Sequence, residues 1–315
     1  MQTPPVHESG YIEIGGIAQW VQIRGDEIGN PVLLFLHGGP GGSAMVLGTG
    51  WREWEKDFTL VHWDQRGAGR TFEKNGATGG DLMTIEQMTD DGLQIVEFLL
   101  GRLRMRKIIL VGHSWGTVLG VRMIRAKPEL FSAYVGVAQV TNTRRNGALR
   151  YQKLLAQLQT QGNAGAVRRL EQIGAPPYGR DQSRWAAFQG LAGLVPGDPI
   201  APKLARPLPP EIRRNEREII ERGMMFSRQQ IVWNGKFEHL DLPALGLKFE
   251  IPVFLFSGTH DQATPIELAM EYFTLLNAPH KEFVRFEGEG HFFLFNAPER
   301  FFAELLSRVR PRAQV

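Results

Sequence analysis

The stretch at residues 108–120, IILVGHSWGTVLG, combines a buried strand, a sharp turn and the start of a helix. Its apolar β-branched run leads directly into Gly112-x-Ser114-x-Gly116, and a helical pattern follows. A serine on such a strained turn is a nucleophile elbow, in which glycines two positions away on either side let the backbones pass. The motif alone is weak, but this strand and helix are the setting that an exposed nucleophile requires. The stretch therefore predicts a serine hydrolase with Ser114 as its nucleophile.

The rest of the chain alternates between predicted strands and helices. Alternating apolar and polar residues around Gly15-Gly16 predict a hairpin of residues 11–14 and 17–24. Near-continuous apolar runs suit parallel strands that are buried on both faces, and such strands are predicted at 32–36, 59–63, 107–111, 133–137, 252–256 and 282–286. Helical patterns occupy 84–103, 117–127, 265–276 and 298–309. This order predicts an α/β fold with a mostly parallel, doubly wound sheet.

Residues 141–240 break this alternation. They hold amphipathic stretches at 149–158, 166–173 and 212–225, joined by proline-rich loops. We therefore expect a mostly helical cap at 141–240, inserted into a core domain of residues 1–140 and 241–315. Between residues 144 and 228 there are 15 Lys or Arg and 7 Asp or Glu, whereas the whole chain has a net charge of only +3. The cap is then either a solvated basic face or a lid that attracts acidic substrates or a membrane surface.

The composition excludes several classes of protein. The chain contains no cysteine, which excludes disulfides, a catalytic thiol and thiolate metal sites. It shows no signal-peptide pattern and no apolar run long enough to cross a membrane, so we expect a cytoplasmic protein. Its arginines come with no nucleic-acid-binding motif, so we do not expect it to bind nucleic acid. No His, Asp and Glu cluster has metal-ligand spacing, so we expect neither a metal nor a cofactor, and the oligomeric state is open.

Ser114 needs a general base, and the base needs a carboxylate that fixes its tautomer. In proteins with a nucleophile elbow these residues follow in the order Ser, Asp or Glu, His. Of the aspartates after Ser114, only Asp261 comes just past the end of a predicted core strand, where active groups of open α/β sheets gather. Such an aspartate commonly caps a helix, but Thr264 and Glu267 form a capping-box pattern that fills this role. Asp261 is therefore the predicted acid.

Two histidines follow Asp261 in the sequence. His280 precedes the last predicted strand, whereas His291 follows it and can reach the elbow, so His291 is the predicted base. His113 is adjacent to Ser114, and we interpret it as a packed residue because consecutive strand residues point to opposite faces.

An oxyanion that develops on the substrate needs preorganised N–H donors. One donor is predicted to be the backbone N–H of Trp115, directly after the nucleophile, and the other that of Gly39 in the HGGPGG loop at 37–42. Phosphate cradling is the competing interpretation of that loop, but the loop lacks the Gly-Lys-Ser/Thr ending of a nucleotide site. The DQRGAG motif at 64–69 is predicted to be structural, with Asp64 and Arg66 tying loops together below the site.

Together, the motifs HGGPGG, DQRGAG, GHSWGT, GTHD and GEGH resemble the proline iminopeptidases, the prolyl aminopeptidase group of serine peptidases with the α/β-hydrolase fold. The resemblance covers the sheet domain at both ends of the chain. It implies that Ser114, Asp261 and His291 form a catalytic triad and that the HGGPG loop supplies the oxyanion hole. It also implies release of an N-terminal residue, preferentially proline, from short peptides.

The cap departs from that family's pattern. Family members hold the substrate's free ammonium with glutamates, mainly from the cap, and one often lies in a Trp-Glu pair, whereas Trp185 here precedes two alanines. Trp185, Glu216 and Glu218 are the candidate substrate-binding residues. Glu211 and Glu221 are further candidates, and all four glutamates are interleaved with arginines with which they could form surface pairs instead.

Three alternatives remain open. The substrate could be an ester, amide or lactone with an anionic part, which would make the protein a general carboxylesterase, lactonase or amidase. Epoxide hydrolases and dehalogenases share the fold but need an aspartate at the elbow, where this chain has Ser114. A ligand receptor on a hydrolase scaffold would have no use for an intact triad. The favoured hypothesis is an acyl-enzyme mechanism on a small molecule or short peptide, bound under the cap beside Trp115.

Overall fold

The computed structural model describes residues 4–43, 51–77, 83–195 and 214–313. Eight strands form one sheet in the order β1-β2-β4-β3-β5-β6-β7-β8. They are β1 (Val6–Ile14), β2 (Ile17–Gly25), β3 (Val32–Leu36), β4 (Thr59–Trp63), β5 (Ile108–His113), β6 (Phe131–Val137), β7 (Val253–Gly258) and β8 (Lys281–Phe286). The hairpin β1–β2 and the pair β2–β4 are antiparallel, and β3 to β8 are mutually parallel. The predicted hairpin and mostly parallel sheet are confirmed.

Side chains of the central strands alternate between two apolar cores. Leu34 and Leu110 face one core, which is covered by the helices that follow β4 and β5 in the chain. Phe35 and Val111 face the other core, which is covered by the C-terminal helices. Both cores are buried, which explains the near-continuous apolar runs of these strands. Because β3 to β8 are parallel, their carboxyl ends lie along one edge of the sheet, where the loops that follow these strands meet.

Ten α-helices belong to the described residues. They are α1 (Gly69–Asn75), α2 (Ile85–Leu103), α3 (Trp115–Ala126), α4 (Thr143–Thr160), α5 (Ala164–Ile173), α6 (Gln182–Ala192), α7 (Arg214–Ser227), α8 (Ile266–Leu275), α9 (Phe293–Asn296) and α10 (Pro298–Glu304). The predicted helix at 298–309 is divided, because a π-helical turn, Leu305–Val309, follows α10. Among the described residues, no helix has both the length and the apolar composition that crossing a bilayer requires.

Helices α4 to α7 lie between β6 and β7. A separate apolar cluster, which includes Leu154, Leu170 and Phe188, joins α4, α5 and α6. The cap boundaries at 141 and 240 stay a prediction. The proline-rich loop at 206–210 lies outside the described residues.

Helix α7 packs against two loops at the carboxyl edge of the sheet. The buried Ser227 donates its Oγ–H to the carbonyl of Gly67 over 2.8 Å. A Cβ added to Gly41 would lie 2.7 Å from the Cβ of Ser227, and one on Gly223 would lie 3.1 Å from the carbonyl oxygen of Gly67. Small residues thus let α7 contact both the HGGPGG and the DQRGAG loops.

The DQRGAG motif carries two buried charged residues that tie loops together. Arg66 Nε donates to Asp91 Oδ2 on α2 over 2.8 Å, and Arg66 Nη2 donates to the carbonyl of Gly15 in the hairpin turn over 2.7 Å. Asp64 Oδ1 accepts the hydroxyl of Ser43 over 2.6 Å. The predicted structural role of Asp64 and Arg66 is confirmed by these contacts.

The Arg66–Asp91 pair allows a stability prediction. The side chains of Arg66 and Asp91 are 2% and 0% exposed, so Asp91→Ala would leave a buried guanidinium without its counter-charge. We expect this substitution to lower the free energy of unfolding by about 3–5 kcal/mol. Denaturant titration followed by circular dichroism measures the change. Glu97→Ala is the matched control on the same helix, because Glu97 pairs with Lys127 at the exposed surface, and its effect should be far smaller. Equal effects of the two variants would contradict the prediction.

Candidate active site

Ser114 lies on the turn between β5 and α3. Its backbone has φ 53° and ψ −116°, a conformation that costs a non-glycine residue about 1–3 kcal/mol. A Cβ on Gly112 would lie 2.7 Å from the carbonyl oxygen of Gly116, and one on Gly116 would lie 2.1 Å from that of Leu36. Both flanking positions therefore require glycine. The predicted elbow is present, and the Ser114 side chain makes no capping hydrogen bond to α3.

Asp261 and His291 lie on the loops after β7 and β8 and are hydrogen bonded to each other. His291 Nδ1 donates to Asp261 Oδ2 over 2.9 Å, and both side chains are buried. Burial raises the pKa of Asp261, but the charge of His291 and the hydrogen bonds from His291 and Thr264 outweigh it, so the pKa lies below its usual value. An ionised Asp261 holds the proton of His291 on Nδ1, which leaves Nε2 as a potential base.

Backbone contacts hold these two loops together. The N–H of His260 donates to the carbonyl of Glu289 over 2.8 Å, and that of Thr259 to the carbonyl of Phe286 over 3.1 Å. A Cβ on Gly258 would lie 2.5 Å from the carbonyl oxygen of Glu289. The loops that carry Asp261 and His291 are therefore held together by a close approach that only glycine at 258 permits.

The predicted capping box at 264–267 is wrong. Helix α8 begins at Ile266, so its N-cap is Pro265, whose extended backbone with ψ 130° lies outside the helix. Proline has no side-chain acceptor, and Thr264 lies one position too early to cap the helix. Asp261 Oδ1 instead accepts the N–H groups of Ala263 and Thr264 over 2.8 and 2.7 Å, and Thr264 Oγ1 donates to Asp261 Oδ2 over 2.7 Å. Asp261 therefore orders the turn before α8 and contacts His291 with the same carboxylate.

His113 connects the elbow to the His291 loop. Its Nε2 donates to the carbonyl of His291 over 3.0 Å, and the two rings are 5.0 Å apart. Burial lowers the pKa of His113 to about 3, so the ring is neutral at pH 7. His113 is therefore packed in the interior, as expected. Its hydrogen bond also holds the loop of His291 against the residue that precedes Ser114.

Gly39 and Trp115 lie on segments that border Ser114. Trp115 is the first residue of α3, and a Cβ on Gly38 would lie 3.2 Å from the Cβ of Ser114. Gly39 has φ 126°, a conformation that other residues rarely adopt. The N–H of Gly42 donates to the carbonyl of Gly38 over 3.0 Å and closes the loop. The HGGPGG loop therefore lies against the elbow.

Gln65 joins these two segments, and the sequence analysis missed it. Gln65 Nε2 donates to the carbonyl of His37, and Gln65 Oε1 accepts Trp115 Nε1–H, both over 3.1 Å. The backbone N–H of Gln65 also donates to His37 Nε2 over 3.1 Å, and burial, which lowers the pKa of His37 to about 4, keeps that ring a neutral acceptor. The signal that the sequence offers is the position of Gln65 just after β4, within the DQRGAG motif.

The predicted glutamates are not brought to this site by the described contacts. Glu218 is exposed on α7. Glu221 pairs with Arg217 over 2.9 Å at the surface, one turn along the same helix. Glu211 and the side chain of Glu216 lie outside the described residues. A role for Glu216 or Glu218 in substrate binding stays a prediction.

Trp185 lies on α6, next to a small open cavity of about 40 Å³ whose lining includes Arg150, Lys153, Leu154, Phe188, Gln262 and Pro265. The ring of Trp185 stacks on that of Phe188 with 6.5 Å between centroids. Gln262 follows Asp261 directly, so the cavity adjoins the loop of the predicted acid. The cavity lies between α4, α6 and this loop.

One group of potential metal ligands corrects the expectation that no such cluster exists. Ligand atoms of His7, Asp26 and Glu55 lie within 4.8 Å of one another. Glu55 already pairs with Arg24 over 2.7 Å and with His7 over 3.4 Å. A cation at this place would have to compete with the guanidinium of Arg24.

Comparisons with known proteins agree with this architecture. Residues 31–298 match the model of the α/β hydrolase fold family. The probable aminopeptidase YbaC of Bacillus subtilis is 30% identical over 94% of both chains. A proline iminopeptidase of Neisseria gonorrhoeae is 34% identical over 40% of this chain and 37% of its own. The structure of a proline iminopeptidase-related protein from Thermus thermophilus covers 98% of this chain and 99% of its own, with a TM-score of 0.67 and 22% identity.

Esterases and epoxide hydrolases are also among the solved structures with this fold. The fold alone therefore does not select the bond that is cleaved. The family match over most of the chain, together with a relative that is similar along nearly its whole length, decides the family. The chain belongs to the α/β hydrolases.

Proposed function

We propose that the protein is a serine hydrolase that cleaves small amides or esters through an acyl-enzyme and acts as an aminopeptidase of the proline iminopeptidase type. The observation that carries the proposal is the 2.9 Å hydrogen bond between His291 Nδ1 and Asp261, on two loops at the edge of the sheet where the elbow presents Ser114. The similarity to a probable aminopeptidase along most of the chain supports the peptidase part.

The proposed mechanism begins with His291 Nε2, which takes the proton of Ser114 as the Ser114 Oγ attacks the substrate carbonyl. The N–H groups of Gly39 and Trp115 stabilise the oxyanion, and each such donor typically contributes about 2.7–4 kcal/mol. The C–N or C–O bond then breaks as His291 returns the proton to the leaving amine or alcohol. Water, deprotonated by His291, attacks the acyl-enzyme, and Ser114 is regenerated. Asp261 orients His291 and stabilises its charged form throughout.

A general esterase, lactonase or amidase is the second candidate. It is favoured by the exposed position of Glu218 and by the arginine in the cap cavity, since an aminopeptidase needs an acidic group for the substrate's ammonium. An epoxide hydrolase is disfavoured, because its mechanism needs an aspartate at the position of Ser114.

Two measurements test the proposal. We expect a fluorophosphonate probe to label native protein at one site, and heat-denatured protein not at all, because only an activated serine reacts quickly. We expect proline and alanine arylamides to be cleaved faster than their N-acetylated counterparts, because an aminopeptidase binds the free ammonium of its substrate. Absence of labelling would overturn the serine mechanism. Labelling together with equal rates for free and acetylated amines would overturn only the aminopeptidase assignment and favour the esterase.

A further inference from the structure

We propose that Arg150, in the cap cavity, binds a carboxylate of the substrate, so that the protein selects substrates carrying a negative charge. This inference rests on the proposed function, because it names the substrate class of the same site. It differs from that function in the group recognised, since an aminopeptidase of this type is defined by a substrate ammonium.

Arg150 is held by aromatic rings and not by a counter-charge. Its guanidinium carbon lies 5.7 Å from the ring centroid of Trp185 and 5.4 Å from that of Phe188. Within the part of the chain that the structure describes, Arg150 forms neither a hydrogen bond nor an ion pair. Cation–π contacts of this kind hold the guanidinium in place while its N–H donors stay available for an anion.

Neighbouring basic residues of α4 differ from Arg150 in this respect. Arg145 makes two hydrogen bonds with Glu271, at 2.6 and 2.7 Å, and Lys153 pairs with Glu267 over 2.6 Å. Both of those pairs connect α4 to α8. Arg150 lines the same cavity as Lys153 but has no such pair.

Burial makes the missing counter-charge significant. It lowers the pKa of Arg150 to about 10, while the negative charge of Asp261 opposes this shift, so Arg150 remains a cation at pH 7. A partly buried cation without a partner carries a desolvation cost that a bound anion would offset. Carboxylates fit best, because a guanidinium can hold both of their oxygens at once.

The position of Arg150 places it near the proposed chemistry. Asn146, one turn earlier on α4, donates its Nδ2–H to the carbonyl of Ala263 over 2.9 Å. That carbonyl is two residues beyond Asp261, and Gln262 lines the same cavity as Arg150. A substrate with its scissile carbonyl at Ser114 would therefore extend its charged end toward α4, either from the acyl part or from the leaving group.

Two pairs of substrates of nearly equal shape test the proposal and separate these two sources of the carboxylate. For the acyl part, 4-nitrophenyl hydrogen adipate is compared with 4-nitrophenyl hexanoate. For the leaving group, alanine 4-carboxyanilide is compared with alanine 4-carbamoylanilide. In at least one pair we expect the carboxylate to raise kcat/KM by about 10- to 100-fold, as a charge-assisted hydrogen bond would, mainly through a lower KM.

Arg150→Gln should reduce that preference to about one, since a neutral amide cannot replace the charge. Arg144→Gln is the matched control, because it removes the same charge from an exposed position on the same helix, and the preference should remain. Absence of a preference in both pairs, or equal losses in the two variants, would overturn the proposal. Thermal unfolding of both variants checks that they are folded.

A binding measurement separates this inference from the mechanism. Calorimetry with Ser114→Ala and alanine 4-carboxyanilide should show tighter binding than with the carbamoyl analogue, and the difference should disappear in Ser114→Ala/Arg150→Gln. This result does not need turnover, so it holds even if Ser114 is not the nucleophile. Equal affinity for the two anilides would overturn the role of Arg150 and leave the serine mechanism untouched.

Discussion

Ser114→Ala is expected to lower kcat/KM by about 10⁴- to 10⁶-fold, because the nucleophile of the proposed acylation step would be absent. The folded state should be retained, since the Ser114 side chain caps no helix and the elbow is held by its backbone, whose N–H donates to the carbonyl of Val137 over 2.9 Å. The burst of first product in rapid-mixing kinetics and fluorophosphonate labelling should both disappear.

Ser257→Ala is the matched control for this substitution. Ser257 is a buried serine on β7, and its hydroxyl has no hydrogen-bond partner among the described residues. Removing that hydroxyl should leave the burst and the labelling in place. If Ser114→Ala kept even one hundredth of the turnover with arylamides or esters, the acyl-enzyme mechanism would be wrong.

Local features of the chain were predicted well from sequence. The strands at 32–36 and 59–63 have the predicted bounds, because buried parallel strands carry continuous apolar runs that end at polar loops. The elbow was predicted because its signature, a glycine two positions away on either side of Ser114, lies within five consecutive residues, although the backbone that Gly116 approaches is that of Leu36 on β3. Such signals depend on neighbours in sequence.

Features that depend on distant contacts were not predicted. Gln65 bonds His37 and Trp115, which are 28 and 50 residues away, so no local pattern indicates its role. The capping box at Thr264 failed because its letters fit the motif while the backbone of Pro265 does not. That Arg150 packs against aromatic rings without a counter-charge is likewise evident only from the packing of α4 against α6.

Asp261→Asn is expected to lower kcat by about 10⁴-fold while leaving the fold and the positions of the loops nearly unchanged. Asp261 Oδ1 accepts two backbone N–H groups, from Ala263 and Thr264, so the amide oxygen of an asparagine must take that place. The amide NH₂ would then occupy the place of Oδ2, facing His291 Nδ1 at 2.9 Å. A donor there makes Nδ1 an acceptor and moves the imidazole proton to Nε2, which can no longer accept the proton of Ser114.

Thr264→Val is the control that separates two roles of Asp261, the orientation of its carboxylate and the selection of the His291 tautomer. It removes the 2.7 Å hydrogen bond from Thr264 Oγ1 to Oδ2 and the 3.4 Å contact of that hydroxyl with His291 Nδ1, but it keeps both backbone donors and the charge of Asp261. Loss of one such bond costs about 1–1.5 kcal/mol, which corresponds to a roughly tenfold slower reaction. Proton NMR should show the Nδ1–H of His291 bonded to Asp261 in wild type and in Thr264→Val, and its loss in Asp261→Asn. Because the tautomer argument requires a far larger effect of Asp261→Asn than of Thr264→Val, similar rates for the two variants would refute it.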